Sequence, residues 1–288
     1  MELNADIHTL YESDFYKILD FKCRCIDCKT SKPEHSDNFS ISFVRKGNFY
    51  FNTFRHSFDS YTGCILVTKP EYERTVTHAH SVPDECTIIE FNSDFYKELL
   101  IQYESILFLF NNDLHSALVK TSPETEFLHY CLVSQICSKE AVKLEIDQLV
   151  LEIIEKAFSG ITDYQPDKRI DARLKTGHLL TIEKAKSYIA ENFKNDLSLK
   201  EVADYCHISP FHFSRIFKLF TGYSPHQFLL ITRLKNAELL LRNTSMQFGH
   251  IAFDSGFNSI EHFTTAFRLN YKMPPGKYKS LKTSCPKT

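Results

Sequence analysis

Two short clusters of metal-ligating side chains lie in the first third of this 288-residue chain. Three thiols occur within six residues, at Cys23, Cys25 and Cys28, and two imidazoles are separated by a single residue, at His78 and His80. Thiolates and imidazoles bind zinc and other thiophilic ions, and closely spaced thiols also pair by oxidation. These residue types indicate metal binding or thiol redox chemistry as candidate activities.

Both clusters also fit a structural role. The C-x-C-x-x-C spacing is not that of a standard zinc finger, and no second Cys-x-x-Cys pair follows it. On a strand, Cys23 and Cys25 would share one face as small half-buried side chains, and paired histidines are common on polar surfaces. A bound metal ion is therefore an alternative, and the sequence predicts no resident cofactor. The side chains available to complete a ligand set with the histidines are Glu73, Glu85 and His35.

Composition restricts the class of protein. With 43% hydrophobic and 24% charged residues, the chain has the composition of a folded protein long enough for two domains. Nine scattered cysteines, an odd number, and an acidic N-terminus without a signal-like pattern argue against a disulfide framework. No run approaches the roughly 18 to 20 apolar residues of a membrane span. We expect a cytoplasmic protein without a membrane partner.

The stretch from Ser198 to Gly222 predicts a helix, a tight turn and a second helix. Ser198 and Glu201 have the S-x-x-E spacing of a capping box at the start of the first helix. Ser209 followed by Pro210 supplies an N-cap and a first-turn proline for the second helix. Gly222 suits the left-handed conformation that ends a helix. Apolar residues recur between these signals at helical spacing, which predicts that the two helices pack together.

The same arrangement recurs about fifty residues later, with one extra residue in the second turn. Between the two copies, a long amphipathic helix is predicted from Ser224 to about Leu241, where it would set their spacing. A plain helical bundle would explain the apolar stripes but not the duplicated short turns. The corresponding residues are Val202 and Ile251, Ala203 and Ala252, Phe213 and Phe263, Phe217 and Phe267, Lys218 and Arg268, and Pro225 and Pro275.

The second copy contains the pattern A-x-x-x-G-F-x-S-x-x-x-F-x-x-x-F-[KR], from Ala252 to Arg268. Two such units joined by a long helix resemble the AraC/XylS family of transcription regulators, over about residues 178 to 281. The resemblance implies double-stranded DNA as a partner, a small-molecule effector, a homodimer, and RNA polymerase as a further partner of an activator. Charge agrees with DNA binding, because residues 178–288 hold 15 Lys and Arg against 8 Asp and Glu.

By the same resemblance, the second helix of each unit enters the major groove of DNA. Arg215 is the strongest candidate for base contact, because its guanidinium matches guanine O6 and N7, and a phosphate contact is the alternative. Thr265 stands in the place of Arg215 in the second unit, where Lys272 also replaces the helix-ending glycine. We therefore expect weaker readout there and a different turn. The predicted DNA-contacting residues are Phe211, His212, Ser214, Arg215, Lys218, Glu261, Thr264, Thr265 and Arg268.

The N-terminal half predicts strands followed by helices. Four apolar runs at residues 39–44, 49–54, 64–68 and 86–91 are separated by turn signals, which indicates a small barrel or sandwich. Their order is similar to the cupin-like sensor half of AraC-family regulators. Three helices follow at residues 95–109, 123–137 and 144–158.

The predicted fold class is α+β with two domains. By resemblance, the helices after the strands form a dimerisation segment, and docking on their own barrel is the alternative. Loss of apolar periodicity, together with glycines and a proline, predicts a linker before the helical domain. The predicted parts are a cupin-like β-barrel with a helical dimerisation segment in residues 1–158, the linker in 159–177, and an all-α domain with two helix-turn-helix units joined by a long helix in 178–288.

These observations together predict a sequence-specific DNA-binding transcription regulator that responds to an effector through its N-terminal domain. We expect that the protein is not an enzyme, because no nucleophile, base and orienting group occur together at convincing spacing. Two alternatives stay open. One is a metal-dependent cupin enzyme fused to a DNA-binding module, and the other is a regulator whose redox or metal sensor is the thiol cluster.

Overall fold

The chain divides into two units. The N-terminal unit is Met1–Thr121 with Leu128–Glu183, and the C-terminal unit is Ser122–Phe127 with Lys184–Thr288. The first is built on β-sheets and the second on helices, as the predicted two-domain α+β class requires. The computed structural model describes residues 5–24, 30–53, 56–79, 83–138, 141–162 and 170–283.

The described strands of the N-terminal unit form two antiparallel sheets. They are β1 (Ala5–Glu12), β2 (Tyr16–Cys23), β3 (Glu34–Ser36), β4 (Phe39–Lys46), β5 (Asn48–Asn52), β6 (Ser57–Tyr61), β7 (Cys64–Thr68), β8 (Tyr72–His78), β9 (Glu85–Phe91) and β10 (Ser116–Lys120). The six-stranded sheet has the order β1-β2-β9-β4-β7-β10, and the four-stranded sheet has the order β3-β8-β5-β6. Neither order closes on itself among the described strands, so the predicted barrel is not confirmed. Closure depends on which strands pair, and apolar runs reveal strands without revealing their partners.

The inner strands β4 and β7 of the six-stranded sheet are buried on both faces. All five residues of β7 are buried, and successive side chains of a strand point to opposite faces. Ile65 and Val67 pack in one core with helices of this unit, whereas Leu66 packs with Phe49 and Phe51 of the four-stranded sheet. The larger sheet is therefore the middle layer of three, which explains why β7 is buried throughout and has no alternation of apolar and exposed polar residues.

The helices of the N-terminal half are α1 (Ser93–Gln102), α2 (Leu107–Phe110), α3 (Pro123–Cys137) and α4 (Lys143–Thr162). The helix predicted at residues 95–109 is divided, because α1 ends at Gln102 and α2 is a single turn. Leu99 of α1 and Phe108 of α2 are buried in the same core. The apolar period therefore continues across the break and does not reveal it.

Helix α4 packs its apolar stripe on the sheet of its own unit. Ile146, Val150 and Ile153 are fully buried in the core that includes Ile65. This is the docked arrangement that the sequence leaves open beside dimerisation. The same helix also carries Leu144 and Leu151, whose exposed fractions are 76% and 50%, so part of its apolar surface stays outside that core.

The segment predicted as a linker is partly helical. Residues 159–162 end α4, and residues 172–177 begin α5 (Ala172–Asn192). Gly160 lies inside α4 and does not break it. Its lack of a side chain leaves room for β10, because a Cβ at this position would lie 2.3 Å from Cγ1 of Val119. A Cβ on Gly177 of α5 would meet nothing within 4 Å. Two helical glycines thus have opposite packing environments.

Gly160 and Gly177 therefore offer a matched pair of substitutions in one unit. Gly160→Ala should lower the free energy of unfolding by about 1–2 kcal/mol, because the stiff β-branched Val119 must move. Gly177→Ala should raise it by up to about 1 kcal/mol, because alanine has the higher helix propensity. Urea unfolding followed by far-ultraviolet circular dichroism measures both. Similar effects of the two substitutions would contradict the packing role of Gly160.

The described part of the C-terminal unit contains helices and no strand. After α5 it continues with α6 (Leu199–Tyr205), α7 (Pro210–Thr221), α8 (Pro225–Asn243), α9 (Phe248–Asp254), α10 (Ile260–Tyr271) and α11 (Pro275–Thr283). Helices α6 and α7 form the first predicted helix pair, α9 and α10 form the second, and α8 connects them. Within the described segments, no helix combines the length and the apolar character needed to span a bilayer.

Candidate nucleic-acid interface

The first helix pair begins at the predicted caps. The Ser198 hydroxyl accepts a hydrogen bond from the backbone N–H of Glu201 at 3.1 Å, and the Glu201 carboxylate accepts one from the backbone N–H of Ser198 at 2.7 Å. The Ser198 N–H holds the pKa of Glu201 below its ordinary value. Ser209 is the N-cap of α7, and its hydroxyl accepts a hydrogen bond from the backbone N–H of His212 at 3.4 Å. Pro210 is the first residue of the helix. The capping box and the second helix start are confirmed.

The turns of the two pairs have the same backbone geometry although their sequences differ. His207 in the first turn and Gly256 in the second both adopt left-handed conformations, with φ of 58° and 82°. In each turn the next amide N–H donates to the carbonyl oxygen five residues earlier, at 3.1 Å and 3.0 Å. The short turn therefore depends on one left-handed residue, and the extra residue of the second copy follows it.

Glycine is required in the second turn because the chain passes close to the end of α5. A Cβ on Gly256 would lie 2.5 Å from the Phe193 carbonyl oxygen and 2.8 Å from Nε of Arg233. Arg233 donates to that same oxygen at 2.8 Å and to the Asn195 oxygen at 2.7 Å. These bonds satisfy carbonyl groups near the end of α5, where a helix lacks intrahelical donors. The glycine thus allows the turn to pack against a capped helix end.

Helices α7 and α10 bury the same face. Their burial agrees position by position at an offset of fifty residues along the central turns. In the first pair, Phe217 contacts Phe228 of α8 edge to face, with ring centroids 5.4 Å apart. Each buried phenylalanine stabilises the fold by about 1.5–3 kcal/mol. The buried positions that the two helices share are Phe213, Ile216 and Phe217 on α7, and Phe263, Ala266 and Phe267 on α10, and α7 also buries Phe220.

The opposite face of each helix is exposed and carries most of the predicted DNA-contacting residues. Phe211 is the most unusual of them, because 80% of this large aromatic side chain is exposed. An exposed aromatic ring next to cationic side chains suits contact with a base edge such as the thymine methyl group. The exposed predicted residues are Phe211, His212, Arg215 and Lys218 on α7, and Glu261, Thr265 and Arg268 on α10.

Two of the predicted residues lie elsewhere. Ser214 and Thr264 occupy corresponding positions and are both only half-buried. Ser214 lines a cavity of about 200 Å³ together with Val202 of α6 and Leu229 of α8. It therefore lies at the edge between the exposed face of α7 and the helices behind it.

The two exposed faces differ in charge. The first presents Arg215 and Lys218, whereas the second presents Glu261, Thr265 and Arg268. His262 is also exposed on α10, at the position of His212 on α7, and sequence reasoning did not include it. The fifty-residue offset between the copies identifies His262 as the counterpart of His212. The surface therefore has the same shape twice, with a more basic first copy.

The end of α10 corrects one expectation. Lys272, predicted to change the turn because it replaces a glycine, has φ of 60°, in the same left-handed region as Gly222 with φ of 82°. The Lys272 ammonium donates to the carbonyl oxygen of Leu269 at 3.0 Å. The predicted difference between the two turns is therefore wrong. The side chain satisfies a terminal carbonyl while its backbone adopts a conformation that favours glycine.

Lys272→Gly should raise the free energy of unfolding of the C-terminal unit by about 0.5–1 kcal/mol, because glycine adopts the left-handed conformation without strain. Gly222→Ala is the matched control at the end of α7 and should lower it by about 1 kcal/mol. Urea unfolding of the two variants beside the parent chain measures the difference. A loss of stability in Lys272→Gly would show that its bond to Leu269 outweighs the strain.

The structure brings together one member of each predicted metal-ligating cluster. Cys23 ends β2 and His78 ends β8, and their ligand atoms lie within 4.8 Å of each other and of a carboxylate oxygen of Asp84. Asp84 was not predicted, because it follows no ligand spacing in the sequence. Glu73, Glu85 and His35 are not members of this group. Cys25, Cys28 and His80 lie outside the described residues.

The chain is similar to known regulators, chiefly in its C-terminal half. Residues 202–280 match the family model described as a helix-turn-helix domain. The regulatory protein PocR of Salmonella typhimurium is 26% identical over 144 residues, so the match covers 50% of this chain and about half (48%) of PocR. The transcriptional activator RhaS of Mannheimia succiniciproducens is 22% identical over 249 residues, covering 84% of this chain and 87% of RhaS. A solved AraC-type regulator of Chromobacterium violaceum is 27% identical, covering 38% of this chain and 98% of that one, with a TM-score of 0.35.

Proposed function

We propose that this chain, whose C-terminal domain belongs to the AraC/XylS family of helix-turn-helix transcription regulators, binds double-stranded DNA sequence-specifically in the cytoplasm and controls transcription. The observation that carries the proposal is the duplicated exposed face of α7 and α10. Both helices have a serine N-cap, a left-handed residue at the C-cap and the same buried and exposed positions over residues 211–219 and 261–269. Two such helices can enter successive major grooves on one side of the duplex.

The first recognition helix carries most of the base readout in this proposal. Arg215 is exposed in the middle of α7, where its guanidinium fork can pair with guanine O6 and N7. Phe211, one turn earlier, faces the same side and suits a thymine methyl group. His212 and Lys218 flank these residues and contact phosphates, which positions the helix without specifying sequence.

The second recognition helix contributes less specificity. Glu261 can accept from cytosine N4, and Thr265 can contact a thymine methyl group. Arg268 occupies the position of Lys218 and binds phosphate. The half-buried Ser214 and Thr264 contribute short polar contacts at the edges of the two faces. Readout is therefore concentrated in the base pairs that α7 covers.

The roles of Arg215 and Arg268 can be tested by using the full chain to select DNA from a pool of random duplexes at two salt concentrations. Arg215→Ala should relax the selected sequence at one or two base pairs, a loss of about 1–3 kcal/mol of discrimination. Arg268→Ala should weaken binding to every sequence and reduce the salt slope by about 1. Lys97→Ala, an exposed charge of the N-terminal unit, is the control and should change neither.

The outcomes separate the roles. Uniform weakening by Arg215→Ala, with a reduced salt slope, would assign Arg215 to a phosphate instead of a base. Absence of any sequence preference in the parent chain would contradict the proposed function itself.

The N-terminal unit is the effector domain in this proposal, cupin-like in general plan. Support comes from the resemblance of its strand order to a cupin-like sensor half, and its two sheets pack through a cluster that includes Val44, Phe49 and Leu66. An effector changes DNA affinity only if it binds two states of the protein unequally. RNA polymerase is a further partner where the protein activates transcription. The activity is regulatory and not catalytic.

A second copy of the chain is the proposed partner of α4. Leu144 and Leu151 are seven residues apart, so they lie on one side of the helix, and both are exposed. The double substitution Leu144→Lys and Leu151→Lys should shift the protein toward monomer in sedimentation velocity, because two charges would enter the interface. Ile101→Lys, at an exposed site on α1, is the control. An unchanged mass would remove α4 from the interface.

A further inference from the structure

We propose that Cys23, His78 and Asp84 form a binding site for a zinc ion in the N-terminal unit. One ligand atom from each residue lies within 4.8 Å of the other two. Cys23 and Asp84 are buried, with exposed fractions of 6% and 1%, and His78 is partly buried. A thiol, an imidazole and a carboxylate in one buried group are the three kinds of side chain that zinc binds in proteins.

The fold holds these residues at the ends of strands from both sheets. Cys23 ends β2 and Asp84 precedes β9, and the Cys23 amide donates to the Asp84 carbonyl oxygen at 2.8 Å. That bond extends the ladder between β2 and β9 by one residue. His78 ends β8 of the other sheet, where it pairs with Phe49. The group therefore joins the six-stranded sheet to the four-stranded sheet.

The backbone around the group is shaped to approach the carboxylate. Gly47, between β4 and β5, has φ of 89°, and a Cβ there would lie 2.2 Å from Oδ1 of Asp84. Only glycine allows this close passage, which encloses the carboxylate from the side of the main chain. On its other oxygen, Asp84 contacts Nδ1 of His78 at 2.7 Å. The three side chains are thus positioned by strand pairing, by a close backbone and by one another.

The donor set and its dimensions suit zinc. Ligand atoms of a tetrahedral zinc ion lie about 2.0–2.3 Å from the metal and therefore roughly 3–4 Å from each other. The present separations, 2.7 Å between His78 and Asp84 and at most 4.8 Å within the group, lie on either side of these distances. Three protein ligands leave one position for water or a further donor. Because ligands come from both sheets, the bound ion would cross-link them, independently of DNA binding.

Metal titration of the full chain, after removal of metal with a chelator, tests the proposal. The parent protein should bind one zinc ion, with a higher unfolding temperature in zinc, and cobalt(II) should show thiolate charge-transfer absorption at the same stoichiometry. Cys23→Ser, His78→Gln and Asp84→Asn should each weaken zinc binding tenfold or more. Cys64→Ser, another buried cysteine of the same unit, is the matched control and should bind as the parent does.

Circular dichroism in the absence of metal distinguishes a lost ligand from a lost fold. The proposal requires at least one of the three variants to keep the parent spectrum and still lose the ion. It is overturned if the parent protein binds no zinc. It is equally overturned if Cys23→Ser binds zinc normally while the double variant Cys25→Ser and Cys28→Ser does not, since the ligands would then be the neighbouring thiols.

Discussion

The C-terminal unit depends on the burial of two aromatic stripes against one helix. Phe217 of α7 contacts Phe228 near the start of α8, whereas Phe263 and Phe267 of α10 pack in a cluster with Leu234 and its neighbours farther along. Because α8 is a continuous helix of 19 residues, the two contacts have a fixed separation and a fixed rotation about its axis. The exposed faces of α7 and α10 are therefore positioned by their buried faces.

A buried polar network adds specificity to this apolar packing. Glu238 of α8 is almost fully buried. Its carboxylate accepts hydrogen bonds from the Tyr278 hydroxyl of α11 at 2.7 Å, from Lys235 at 2.9 Å and from Arg242 at 3.2 Å. Ion pairs of this kind contribute little net stability compared with apolar side chains of equal size. Their partners must be in place, however, because a buried carboxylate without them is strongly unfavourable. Through Tyr278, the network also links α11 to α8.

Local signals predicted the helix-turn-helix units well because their determinants are close in sequence. The capping box at Ser198, the Ser-Pro start of α7 and the left-handed ends are interactions over three or four residues. The second copy repeats the serine N-cap and the left-handed end, whereas Gln247 precedes α9 without a side-chain cap bond. The expectation that Lys272 would change its turn was wrong. Residue type indicated only a conformational preference there, and the local bond from Lys272 to the Leu269 carbonyl oxygen was not considered. The approach of Val119 to Gly160, in contrast, joins residues 41 positions apart and is decided by the packing of the unit.

The sequence by itself determines the two-unit α+β organisation, the duplicated helix pairs and the exposed face of the second helix in each pair, because all three follow from periodicity and local capping. Tertiary structure decides the order of the strands, the open sheets, the close passage of Gly256 beside Arg233 and the meeting of Cys23 with Asp84. These features join residues that are tens of positions apart. Their contact energies depend on the whole fold, and no spacing within a short window encodes them.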